Sequence, residues 1–199
     1  HARLIDGTVV DGQSQVMRTP GIDRVWLTPD DVQPSEDALA AIAEAELIVL
    51  GPGSLYTSLL PSLLIPAIRD AVERATAPRV FVCNVATQTG ETSGFDLAAH
   101  VDALVAHTSP NLVDIVLANN GVAAFPGIVQ PGSETPNAVR LRWPPASLPV
   151  PRLYIEDVID PAYAHHHEPA NLAAAIIRAF EAEIGIRRRS IGRATSRSA

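Results

Sequence analysis

Apolar residues in this chain fall in short blocks set off by turn-forming residues, and the blocks alternate between two spacings. Leu47 to Leu50, Arg79 to Cys83 and Leu112 to Ala118 are nearly continuous apolar runs, the pattern of strands buried on both faces. Between and around them the spacing shifts to that of amphipathic helices. One is predicted from about Glu36 to Ala45, with Leu39, Ile42 and Ala43 as its stripe and Ser35 as its N-cap. A second runs from Ala67 to Arg74 behind Pro66, whose missing N–H costs nothing in a first helical turn. A third, Phe95 to Ala106, carries Leu97, Val101, Leu104 and Val105 on one side, and a fourth spans Asn171 to Ile184. Strands and helices alternating at this length predict right-handed crossovers and a parallel sheet, an α/β fold.

The flanks read differently. Ala2 to Val10 alternates around Asp6-Gly7, a hairpin signal, and Arg24 to Leu27 reads as a strand stopped by Thr28-Pro29. Residues 122–151 hold seven prolines and little periodicity, which predicts a surface excursion with one strand near Val139 to Arg142. Arg152 to Ile155 reads as a late strand. From Arg187 the chain is basic, small and polar, so residues 187–199 are expected to be a disordered tail after one domain over 1–186.

Three of the buried strands end in polar loops: Gly51 to Thr57, Asn84 to Thr92, and Asn119 to Gly121. In a parallel sheet such ends gather at the carboxyl edge, where α/β proteins bind ligands. Gly51 and Gly53 allow close approach of a ligand to the main chain, and Ser54 is placed to cap the next helix. Asn84, Thr87, Gln88 and Asn119 suit hydrogen bonding to a base, sugar or phosphate, and Glu91 is the only acid of the middle loop. The same residue types also close turns and cap helices, so each alone reads equally as structural. His165-His166-His167-Glu168 invites a metal reading, but adjacent side chains on a helix or strand diverge. His166 is retained as a residue that could reach the pocket.

Composition narrows the chemistry. All 15 basic residues are arginine, which excludes a P-loop, Schiff-base or general-base lysine. Five arginines lie in residues 187–199, so setting them aside takes the net charge from −7 to −12 and argues against nucleic acid as a partner. One cysteine, Cys83, rules out an internal disulfide and fits a reducing compartment. No apolar run reaches membrane-spanning length. Because the chain starts at His1 directly in a strand pattern, an N-terminal part is expected to be missing.

The stretches GPGSLYTSLLPSLLIPAI and VFVCNVATQTGETSGFDLAAHVDAL, with HARLIDGTVVDGQSQV and RVWLTPDDVQPSEDALAAIAEAELIVLGPGS in order before them, resemble the gluconeogenesis factor (YvcK-like) family. That family sits in the CofD-like superfamily with 2-phospho-L-lactate transferase. The resemblance covers residues 1 to about 118 and returns over 165 to 180. It implies a three-layer α/β/α Rossmann-like fold in the cytoplasm, of which this chain would be the C-terminal portion. It also implies a regulator that binds nucleotide sugars, above all UDP-N-acetylglucosamine, and links carbon flux to cell-wall synthesis and cell shape. The binding surface it implies takes Gly51, Gly53, Ser54, Leu55 and Tyr56 from the first motif, and Asn84, Thr87, Gln88 and Glu91 from the second. No catalytic residue, tightly bound cofactor or metal is expected. The alternative, a transferase moving a 2-phospholactate-type group from a nucleotide donor, would need magnesium. The expected partner is the small-molecule ligand, with a homodimer compatible. Two departures from the family pattern stand out: the glycine-rich GGGTG loop is absent, and His166-His167-Glu168 occupies the place of an Arg-His-acid run. Without that arginine a fixed charge suited to a diphosphate is lost.

Overall fold

The computed structural model describes residues 1–120, 138–147 and 149–196. Its centre is a parallel sheet of four strands in the order β4-β5-β6-β7: β4 Ile48–Leu50, β5 Arg79–Val82, β6 Ile115–Asn119 and β7 Arg152–Glu156. A separate antiparallel sheet precedes it, with β1 Ala2–Leu4 between β2 Val9–Val10 and β3 Ile22–Val25. The Asp6-Gly7 hairpin is present, with Gly7 at positive φ. The strand read at Arg24 to Leu27 lies two residues earlier, because Ile22 and Val25 are the pair that reach the core. Gln13–Val16 forms one helical turn, α1, in a stretch the sequence pattern leaves as polar loop.

Strand periodicity divides the interior into two cores. Phe81, Cys83, Val116 and Ala118 face one side, with Leu97, Val101 and Leu104 of the helix α5 (Leu97–His107) packed on them. Val80, Val82, Ile115 and Leu117 face the other, against Leu172, Ala175 and Ala179 of α6 (Pro169–Ser196). Helices on both faces make the α/β/α layering expected. Every residue of β6 is buried, which is why its sequence shows a continuous run and no alternation. The fully buried Leu117 alone is worth about 2 kcal/mol of hydrophobic transfer.

Caps locate the helices. Ser35 Oγ accepts from Ala38 N–H at the start of α2 (Glu36–Glu44), and Pro66 opens α4 (Pro66–Arg74). A π-helical turn, Leu55–Leu59, runs into the short α3 (Leu60–Leu63). Asp96 Oδ1 accepts from Ala99 N–H and so starts α5 two residues after the predicted Phe95.

Two expectations are corrected. Val139 to Arg142 is not a strand: Ala138 makes an isolated bridge to Ala86, Val139 N–H donates to Val85 O, and the prolines that follow prevent a ladder. Helix α6 does not stop at Ile184 but continues to Ser196. Arginine and isoleucine do not oppose a helix, and Arg187 fixes the extension by binding Glu183 one turn back. The segment of the proline-rich excursion at 121–137 lies outside the described residues. Among the described residues no helix is long and apolar enough to cross a membrane.

Candidate functional site

Parallel strands bring the first two predicted loops together at the carboxyl edge. Gly51 sits at φ 85°, and a Cβ there would lie 3.1 Å from Val82 O, so the first loop can cross β5 only with glycine at this position. Asn84, one residue past Cys83, treats the loop as if it were a neighbouring strand. Its Nδ2 donates to Gly53 O at 3.0 Å and its Oδ1 accepts from Gly53 N–H at 3.3 Å. Gln88 extends the contact by donating from Nε2 to Ser54 Oγ at 2.8 Å, while its Oε1 accepts from Asn84 Nδ2 at 3.4 Å.

Over this surface lies a groove of about 360 Å³. One wall is Gly53, Asn84, Thr87 and Gln88; the other is His165, His166 and His167. The histidines lie in a turn between β7 and α6 and not on a helix or strand, so consecutive side chains can all border one space. His166 N–H donates to Tyr163 O and Asp160 N–H to His166 O, which closes the turn. His167 Nε2 donates to Cys83 O at 3.3 Å and pins the turn to the end of β5. Burial, then the neighbouring His166, lowers the pKa of His167 and keeps it neutral. His165 and His166 are exposed, with ring centres 4.3 Å apart. Sequence reasoning placed only His166 here; His165 and His167 were discounted on helix or strand geometry that a turn does not obey.

Other predicted site residues lie elsewhere. Leu55 and Tyr56 are 2% and 4% exposed and belong to the core. The Tyr56 ring packs edge-on to His107 and Phe95, and burial, with the charges of Asp23 and Glu91 adding, pushes its hydroxyl up to about 12. Glu91 is 3% exposed and wholly committed: Oε2 accepts from Tyr56 N–H at 2.9 Å and Oε1 from Thr57 Oγ1. It joins the two loops from beneath and does not face the groove. Ser54 does not cap a helix with its side chain, because the chain enters a π turn whose amides at Ser58 and Leu59 bond Ser54 O. Asn119 is the last residue of β6, buried, and its Oδ1 accepts from Val158 N–H at 3.1 Å. Asn119 therefore contributes packing, Gly121 of that loop lies outside the described residues, and the described groove is built by two strand ends and the histidine turn.

A residue absent from the sequence reading is Gly90, at φ 89°, where a Cβ would lie 2.5 Å from Met17 O. That contact seats the second loop against the end of α1. Beneath the first loop, His100 is 1% exposed, its Nδ1 donates to Asp96 O, and burial lowers its pKa. Among the described residues no group of three or more His, Cys, Asp or Glu could hold a metal ion.

The family model for 2-phospho-L-lactate transferase CofD matches residues 1–134. The chain belongs to the CofD family. Among the relatives of this CofD-family chain are proteins named gluconeogenesis factor. That of Halalkalibacterium halodurans is 46% identical over 118 residues, covering 59% of this chain and 37% of its own length. That of Bacillus subtilis is 46% identical over 121 residues, covering 60% and 38%. A solved structure of a UPF0052 family member from Bacillus halodurans superposes with a TM-score of 0.76 at 33% identity, covering 89% of this chain and 57% of that one. The chain thus spans less than two fifths of either curated relative and just over half of the solved structure.

Proposed function

We propose that this CofD-family protein binds a nucleotide sugar of the UDP-N-acetylglucosamine type in the groove between Asn84 and the histidine turn. It acts through that binding as a cytoplasmic regulator that couples carbon supply to cell-wall synthesis and cell shape. The observation that carries the reading is the chemistry of the groove wall: side-chain amides and a main-chain peptide, gathered at the carboxyl edge of a parallel sheet. Amides serve as donors and acceptors alike, which suits a uracil edge and sugar hydroxyls. The kinship with gluconeogenesis factors supports the same reading. Calorimetry of UDP-N-acetylglucosamine into the full-length protein tests it: saturable heat that Asn84→Ala reduces is expected, and no heat at millimolar ligand would refute it.

The family model's own description favours a second reading, transfer of a 2-phospholactate-type group, a reaction expected to need magnesium. Magnesium takes carboxylate oxygens, and Glu91, the acid expected to supply one, has both oxygens bonded to Tyr56 and Thr57. The described groove residues do not fit that ion. Turnover of a nucleotide-activated phospholactate donor by the purified protein would revive this alternative.

A further inference from the structure

We propose that His165 and His166 form a proton-linked anion site, so that the groove takes a diphosphate, sulfate or similar anion together with a proton. The groove wall opposite the histidines is uncharged: Gly53, Asn84, Thr87 and Gln88 offer peptide, amide and hydroxyl groups. Among the described lining residues there is no arginine and no carboxylate, and histidine is the one side chain there that can carry positive charge to a phosphate. Three geometric facts make the imidazole pair suited to the task.

The two rings lie 4.3 Å apart, tilted by 54°, and both border the same space. Two like charges at that separation would repel, and an anion between or beside the rings offsets that repulsion. Binding and protonation then strengthen each other. Both rings are exposed, so charging them carries little desolvation cost. Finally, the turn that carries them is fixed by Tyr163 O, His166 O and the His167–Cys83 contact, so the pair is held over the groove before any ligand arrives.

The surrounding charges are directed elsewhere. Asp160 accepts through Oδ1 from the amides of Ala162 and Tyr163, and Glu168 accepts through Oε2 from Asn171 N–H at the start of α6. The Tyr163 ring packs on His166 at 6.1 Å, and His167 is held neutral by burial. Cys83 is buried on the far side of its own carbonyl, with its thiol pushed up to about 12 by burial. Among the described residues no carboxylate pairs with either ring, which leaves a bound anion to serve as counter-ion.

The nature of the anion rests on the nucleotide-sugar reading, but the proton linkage does not. The test therefore uses two probes whose own charge is constant near neutrality, UDP-N-acetylglucosamine and inorganic sulfate. Affinity of the full-length protein for each is measured from about pH 6 to about pH 8, alongside the His165→Gln/His166→Gln double variant. The expected result is roughly a tenfold weakening across that range for both probes, lost in the double variant. His166→Arg is expected to restore anion binding without the pH dependence. Unchanged urea midpoints would confirm that the exposed substitutions leave the fold intact. Sulfate binding with the pH dependence but no UDP-sugar binding would uphold the histidine site and refute the nucleotide reading. UDP-sugar binding that is flat with pH, or unchanged in the double variant, would overturn the proton linkage and leave that reading standing. Failure of both probes at every pH would overturn both.

Discussion

The two edges of the parallel sheet are built from opposite materials. At the amino edge, Asp114 accepts from Arg79 Nε and Nη2 at 2.9 Å each and from Arg79 N–H, and Arg187 of α6 reaches it at 3.2 Å. Arg187 also binds Glu183, which takes Arg152 from the start of β7 at 3.0 Å. Charges from three elements saturate one another there. At the carboxyl edge Glu156 at the end of β7 pairs with Arg178, but past β4 and β5 the exposed contacts join neutral amides, peptides and a hydroxyl at 2.8 to 3.4 Å. A saturated charge network costs several kcal/mol to open, whereas neutral hydrogen bonds exchange for water or ligand at about 1 kcal/mol each. The amino edge is suited to holding the sheet together, and the carboxyl edge to trading partners.

The strongest challenge to that contrast lies beneath the groove, where Glu91 is the one charge used as a brace. Glu91→Ala leaves Tyr56 N–H and Thr57 Oγ1 without acceptors in the interior and is expected to cost about 3 kcal/mol, read from urea denaturation. Glu91→Gln keeps one acceptor and should recover about half of that.

Asp114→Ala strips two arginines at once and should cost about 2–3 kcal/mol while leaving ligand affinity unchanged. Burial alone would raise the Asp114 pKa, but Arg79 and then Arg187 hold it below the usual carboxylate range. A depressed folded pKa adds stability above the unfolded value of about 3.9, and this is lost as pH falls through the folded value. Stability measured from about pH 6 downward should therefore fall more steeply in the wild type than in Asp114→Asn below about pH 4.

Gly90→Ala places a Cβ against Met17 O in a conformation that alanine resists, for about 2 kcal/mol, with the loss confined to the seat of the second loop. Hydrogen exchange at residues 84–94 would locate it there. Asn84→Ala is the smallest effect on stability, about 1 kcal/mol, yet should weaken nucleotide binding roughly tenfold. Loss of affinity in Asp114→Ala, or loss of stability with full affinity in Asn84→Ala, would reverse the assignment of the two edges.

Much of this was legible in the residues. The apolar runs of β5 and β6 announce strands buried on both faces, and the glycine and asparagine at their ends announce the loops that meet. Glu91 misled because a carboxylate in a polar loop looks the same whether it faces solvent or two buried donors. Asn119 misled because its neighbours Asn120 and Gly121 suggest a loop, while β7 pairs with it and extends the strand. The extension of α6 was hidden because the anchoring partners of Arg187, Thr76 and Asp114, lie far away in sequence.

Sequence alone determined the periodicities, and with them the alternation of strands and helices and the parallel sheet, because side-chain spacing and turn chemistry act over a few residues. Tertiary structure alone decided which polar groups are spent and which stay available. A hydrogen bond from Tyr56 N–H to Glu91, or a histidine turn laid across Asn84, joins residues 35 and more than 80 positions apart. No local pattern encodes such a meeting, since it depends on where the packed sheet carries each strand end.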